Sequence, residues 1–498
     1  MLSFAVFATG KPAERVNLAG AYVVGSDDVP LRAELTFRNG IISCNKKAAG
    51  PAGLALPWDV QGVGNILLET ARLMERKQPY ILAVELARGR LMRINQRFED
   101  WGFLGYPGAD AVAAQVARAR DVLITALQAD TPAQGATLGD EALALAVQAS
   151  EALSRFHAEA FLQRRKQSTG FPRRLFGCAI PRDKPSDAAY KRLAGFDFVT
   201  VPVVWREIEP TEQAFNWKLL DAWVETLAKH RMPIKGSSLL SFNERNVPDW
   251  LYIWEHDFDT LRDLAFEHAR RVINRYAQHI QTWDVISGIH GNTCFPFSFE
   301  QLMELTRMTA ALCKQTIPRG VAIVDLVAPW GEYYARNQRT VPPLLYADMA
   351  VQSGVNFDAF GVRFLFGAAV DGMFVRDMFQ ISSLLDLFAK TGKPLHITAV
   401  QAPSAPGDGA AAAGGIWHEP WNPQIQAEWL HQFVEVALSK PFVDSVSWHT
   451  LADSQEDPVS LGGLVNADYT PKPAHKRLLK LRDELLGAAR RGDHESAA

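Results

Sequence analysis

Three observations predict an α/β fold: a (β/α)8 TIM barrel preceded by an N-terminal antiparallel β plus helical-hairpin domain. After residue 174, short apolar runs rich in β-favouring residues alternate with amphipathic stretches of helical spacing, eight strands in all. Before residue 165 the pattern differs, with strand-like runs first and two Ala-rich helical stretches after them. The chain has 498 residues, and a barrel needs about 250, which leaves room for a second unit.

The elements follow in order. LSFAVF, GAYVV, RAELTF and GIISC read as strands separated by turn residues, with Asn39-Gly40 between apolar runs as a hairpin signal. From Ile81 the spacing becomes helical, placing Leu82, Leu86, Leu91 and Ile94 on one face. Asp110 to Ala129 and Leu138 to Gln163 are expected to be two helices broken at Thr131-Pro132 and folded as an antiparallel hairpin. Residues 1–165 thus form the N-terminal unit. Residues 166–173, within the polar stretch Gln163 to Arg174, are the expected linker, with its basic run solvated. The barrel is assigned to 174–488 and a polar tail to 489–498, with Gly407 to Gly415 as a flexible loop. Barrel strands are expected near 175–180, 196–205, 233–240, 281–287, 320–328, 357–364, 394–400 and 444–451. The fourth, QTWDVISGIH from Gln281, follows a long amphipathic helix and stops at Ser287-Gly288. Barrel active sites stand at such strand ends, yet this one carries neither acid nor base.

Composition narrows the function. Apolar content of 48%, charged content of 21% and a net charge of −3 are ordinary for a globular protein and make no electrostatic case for nucleic acid or anionic membrane. No segment reaches the ~20 apolar residues of a membrane span. The four cysteines lack metal or redox spacing, and reduced buried thiols are expected. The opening MLSFAVFATGKPAERV has no charged n-region and no long apolar run, so no signal peptide and a cytoplasmic location are expected. His290, His396, His418 and His449 show no HxxxH or HxH pair, and phosphate-loop and dinucleotide motifs do not occur, so neither metal nor cofactor is expected.

Several motifs stand in a telling order. Phe176-Gly177-Cys178-Ala179 opens the first barrel strand, and Trp205-Arg206-Glu207-Ile208-Glu209-Pro210 follows the second. Lys235-Gly236-Ser237-Ser238-Leu239, Pro248-Asp249-Trp250, Trp283-Asp284-Val285 and Ile397-Thr398 come next, and Tyr469-Thr470-Pro471-Lys472-Pro473-Ala474 closes the barrel after Trp448 and Asp453. Together these resemble glycoside hydrolase family 10, the endo-β-1,4-xylanase barrels, over residues 172 to 488. The resemblance implies a retaining mechanism with two glutamates about 5 Å apart across the scissile bond. At the positions it assigns to them stand Gly288, for the acid/base, and Ala399, for the nucleophile. Ser237 replaces a histidine of the third strand, Leu365 one of the sixth, and Val201, Pro202 and Val204 a polar group of the second. Neither Gly nor Ala has a side chain that moves a proton.

The leading expectation is a carbohydrate-associated barrel that has lost the standard two-glutamate hydrolysis and binds a β-linked glycan or oligosaccharide. Its candidate substrate-binding residues are Trp205, Trp330, Arg363, Trp448 and Asp453, because indole faces pack on the C–H faces of sugars. Trp417, His418, Glu419 and Trp421 form a candidate lid loop behind a Gly-rich hinge. One alternative is an active O-glycosyl hydrolase, or a lyase, with relocated groups centred on Glu332, which follows the fifth strand among aromatics; pairing with Arg363 is the competing reading. Another alternative is a structural or assembly protein, with the N-terminal helices as the interface of a homo-oligomer.

Overall fold

The computed structural model of the chain describes residues 1–407, 414–455, 457, 459 and 461–487. The expected tail, 489–498, and most of the Gly/Ala loop lie outside the described residues.

The N-terminal unit begins with β1 (Leu2–Ala5), the small pair β2 (Phe7–Ala8) and β3 (Lys11–Pro12), β4 (Tyr22–Gly25), β5 (Pro30–Leu31), β6 (Ala33–Arg38) and β7 (Ile41–Lys46). It continues with β8 (Ala52–Val60), β9 (Gly64–Glu69) and β10 (Tyr80–Ile81). These make two four-stranded sheets, β10-β1-β7-β6 and β5-β4-β8-β9, antiparallel except for the parallel β1–β10 pair. The Asn39-Gly40 hairpin joins β6 to β7 as expected, with both residues at positive φ. Three helices follow: α1 (Leu82–Asp100), α2 (Asp110–Leu127) and α3 (Pro132–Gln167).

α3 departs from expectation at both ends. It starts at Pro132, because Thr131 caps it by accepting from the Gln134 backbone N–H and proline at the first turn forfeits no needed donor. It runs through Gln167, into the expected linker. The basic run there is not simply solvated: Arg165 is buried and donates to the carbonyls of Gly170, Leu438, Lys440 and Val443. Three of those carbonyls belong to the barrel, so the end of α3 is fastened to it.

The barrel closes in strict order as β11 (Phe176–Ala179), β12 (Phe198–Pro202), β13 (Ile234–Leu240), β14 (Ile280–Ser287), β15 (Val321–Leu326), β16 (Ala359–Leu365), β17 (Leu395–Gln401) and β18 (Val443–Trp448). All eight pairings are parallel. The helices between them are α4 (Asp187–Leu193), the short α5 (Trp205–Ile208), α6 (Lys218–Lys229), α7 (Phe258–Tyr276), α8 (Phe299–Thr316), the short α9 (Tyr333–Arg336), α10 (Pro343–Gln352), α11 (Met378–Ala389) and α12 (Pro423–Ser439), with α13 (Pro473–Leu486) last. Several starts carry a visible cap. Ser298 and Asp377 form capping boxes with Gln301 and Gln380, and Asn422 accepts from two backbone N–H groups. α4 is short and follows a polar loop, so no helical period marks it in the sequence.

One buried apolar core runs continuously through both units. α3 packs against α11 and α12, and polar contacts seal the seam. Arg90 pairs with Asp377 at 2.7 Å, and Trp101 Nε1 donates to Asp386 at 2.8 Å. No helix of the described residues is long and apolar enough to cross a membrane.

Candidate functional site

The C-terminal ends of the strands open into a cavity of about 970 Å³. Every strand contributes at or near its C-terminal end: Ala179, Pro202, Ser241, Ser287, Val327, Leu365, Ala399 and His449, with Ser237 deeper in β13. Gly288 and Ala399, the positions that the resemblance assigns to the two glutamates, both line this cavity. Gly288 sits at φ +64, and a Cβ there would stand 2.8 Å from Val327 Cγ2. An L side chain at this position is therefore strained by its backbone as well as crowded by its neighbour.

Beneath the floor lies a polar network built on Asp325 of β15, which is 1% exposed. Its Oδ2 accepts from Ser287 Oγ at 2.6 Å and from Arg363 Nε at 2.5 Å, and its Oδ1 accepts from Thr398 Oγ1. The parallel register explains the convergence: Ser287 lies opposite Asp325, and Asp325 opposite Gly361. A Cβ on Gly361 would come 2.5 Å from Asp325 Oδ1 and 2.6 Å from Thr398 Cγ2, so glycine is what lets the carboxylate reach β17. Deeper still, Asp284 pairs with Lys235 at 2.8 Å. Burial pushes the Asp284 carboxyl up, and Lys235 opposes that shift.

Arg363 crosses from this network into the cavity, with 22% of its side chain exposed. Burial disfavours its charge, but Asp325 and Asp284 outweigh that and hold its pKa above the ordinary value. Its Nη2 lies 3.4 Å from Ser237 Oγ. His449 faces the same space. Burial, with Arg363, Arg182 and Arg245 nearby, pushes its imidazole down to about 3, so it is neutral at pH 7. Arg182, Arg245, Glu207, Glu244 and Asp457 also line the cavity from segments beyond the strand ends, with Arg182 3.6 Å from Glu207. No three metal-ligating side chains converge among the described residues.

Most of the other expected site residues lie elsewhere. Glu332 is fully buried and outside the cavity lining; its Oε1 accepts from Arg376 Nη2 at 2.8 Å, and the same Nη2 donates to Tyr22 of the N-terminal sheet. Pairing is thus the observed state, with Arg376 as partner rather than Arg363. Trp330 carries that Arg376 guanidinium 4.2 Å above its ring and does not line the cavity. The expected mouth positions of Trp205 and Trp448 are corrected. Trp205 is 1% exposed, stacks on His268 and donates to Glu209, because the chain turns into α5 there and tucks the indole behind the strand. Trp448 is equally buried and donates to the Gly462 carbonyl. Asp453 accepts from Lys472 at 2.6 Å and from the Gly463 backbone, which ties the closing loops together.

The lid expectation also fails. Ile416 and His418 donate backbone N–H groups to Asn65 and Val63 of the N-terminal unit, and His418 Nε2 meets Glu151 of α3 at 3.2 Å. Trp417 and Trp421 are buried, His418 is half-buried, and Glu419 and Pro420 are exposed. The segment is a docking strap between the two units. The floor residues Ser287, Thr398 and Ser237, and Asp325 beneath them, carried one usable signal: each lies at or near the C-terminal end of a predicted strand.

Residues 169–293 match the model of glycosyl hydrolase family 10. The Thermotoga neapolitana endo-1,4-beta-xylanase B is 21% identical over 291 residues, 57% of this chain and 79% of that protein. The Paenibacillus barcinonensis endo-1,4-beta-xylanase C is 28% identical over 88 residues, 16% of this chain and only 8% of that protein. Among solved structures, native xylanase 10B from Thermotoga maritima is 18% identical, with a TM-score of 0.47, covering 66% of this chain and 98% of that one.

Proposed function

We propose that this chain is a xylanase-like carbohydrate-associated barrel that binds a β-linked oligosaccharide in its mouth without two-glutamate retaining hydrolysis. The observation that carries this reading is the pairing of Gly288 and Ala399 in the lining of a 970 Å³ cavity, in a barrel whose opening segment matches a glycoside hydrolase family. The cleft is open, and among a largely apolar lining it presents hydroxyl, amide and guanidinium groups suited to sugar hydroxyls. The carboxylates in its lining, Glu207, Glu244 and Asp457, follow β12, β13 and β18 and do not stand at the tips of β14 and β17. General acid catalysis needs a proton donor within hydrogen-bond reach of the leaving oxygen, and the floor supplies none from those two strands. Ligand-observed NMR with xylohexaose tests both halves of the reading. Broadening of the sugar resonances by the protein, with no new reducing ends over a day, is the expected result. Steady appearance of shorter products would overturn the loss of hydrolysis, and unaltered spectra would overturn binding.

A further inference from the structure

Among the described residues the cavity has no aromatic platform. Its two aromatic lining residues, Trp223 and Phe242, are 0% and 3% exposed. Stacking on a sugar face is therefore unavailable, and recognition has to be polar. The charges are also unevenly placed. The carboxylates of the lining, Glu207, Glu244 and Asp457, come from segments beyond the ends of β12, β13 and β18, whereas Arg363 is the charged lining residue on a barrel strand among the described residues. The carboxylate beneath it is already occupied. Asp325 accepts from Ser287, Thr398 and Arg363 and is 1% exposed, so it neither reaches the cavity nor offers it an acceptor. Arg363 commits Nε to Asp325 and has a long contact from Nη2 to Ser237; its remaining N–H groups have no partner among the described residues. A guanidinium held from behind with its outer edge free is a fork for a planar or tetrahedral oxyanion. Ser237 beside it and the neutral His449 across the floor add donors, while Gly288 and Ala399 leave the space clear.

We propose that the floor of the mouth binds an anionic group carried on a sugar, a uronate carboxylate or a sugar phosphate, with Arg363 as the residue that reads the charge. Asp325 is its positioning residue, fixing the guanidinium plane without touching the ligand. This rests on the saccharide-binding reading above and narrows it to a charged saccharide.

The test is calorimetric titration of the full chain with cellobiose, cellobiouronic acid and cellobiose 6-phosphate, which share one neutral scaffold. At least one anionic ligand is expected to bind about tenfold or more tighter than cellobiose, the scale of a charge-assisted hydrogen bond. That gain is expected to shrink at high salt. The stronger anionic arm identifies the source as carboxylate or phosphate. Arg363→Lys is expected to keep part of the preference and Arg363→Gln to abolish it, each checked for folding by circular dichroism. Equal affinity for all three ligands in the wild-type chain overturns the charge assignment and leaves saccharide binding standing. Heat from none of them overturns both.

Discussion

Asp325 Oδ2 accepts from Ser287 and Arg363 while Oδ1 accepts from Thr398, so one carboxylate ties β14, β16 and β17 together under the cavity floor. Asp325→Asn removes the counter-charge of a guanidinium held largely inside the protein. It should destabilise the chain by about 3–5 kcal/mol, read from the urea midpoint, because a buried cation without its partner is costly. An unchanged midpoint would mean the network is ornamental. At this scale the sequence was legible in part. Gly288 could be placed at the mouth because the strand around Trp283-Asp284-Val285 stops there, and Ala399 through the family resemblance carried by Ile397-Thr398. The direction of Trp205 and Trp448 could not be read. An indole near a strand end is as stable against a flanking helix as in a cleft, and only the turn into α5 sends Trp205 onto His268.

The strands, helices and loops tell a different story for Glu332. It precedes α9, and its partner Arg376 precedes α11; both are 0% exposed, and Tyr22 of β4 completes the group. Glu332→Gln should cost about 3–5 kcal/mol in stability, since Arg376 loses its counter-charge in the seam between the units. Oligosaccharide affinity should be unchanged in the same variant. A loss of affinity with intact stability would instead return Glu332 to the site. The elements themselves were legible almost throughout. Period 2 gave way to period 3.6 at regular intervals, and all eight barrel strands appear within a few residues of their expected places. Polar composition misled at Gln163 to Arg174, where α3 continues and Arg165 caps barrel carbonyls. It misled again at Trp417 to Trp421, where glycine neighbours suggested a hinge and backbone bonds to Val63 and Asn65 make a strap. Such contacts join residues hundreds of positions apart and leave no local period.

The two units share one core, so the molecule should respond to pH as a whole. His157 in the N-terminal unit and His268 and His290 in the barrel are buried. Burial pushes His157 down to about 2 and the other two down to about 3. In the unfolded chain each titrates near 6.5, so below that pH the unfolded state binds protons that the native state refuses. Stability is therefore present above about pH 6.5 and falls as the pH drops towards 3, by up to about 1.4 kcal/mol per pH unit for each histidine. Denaturant midpoints between about pH 7 and about pH 5 should decline steadily; a flat profile would show that these imidazoles accept protons in the native state. Whether the N-terminal helices also join two copies is read by light scattering on the full chain. The most direct test of the account is titration of the full chain with xylo- and cello-oligosaccharides at millimolar concentration. Saturable heat from at least one glycan is the predicted result, and no heat from any glycan would contradict the claim that this mouth is a saccharide site.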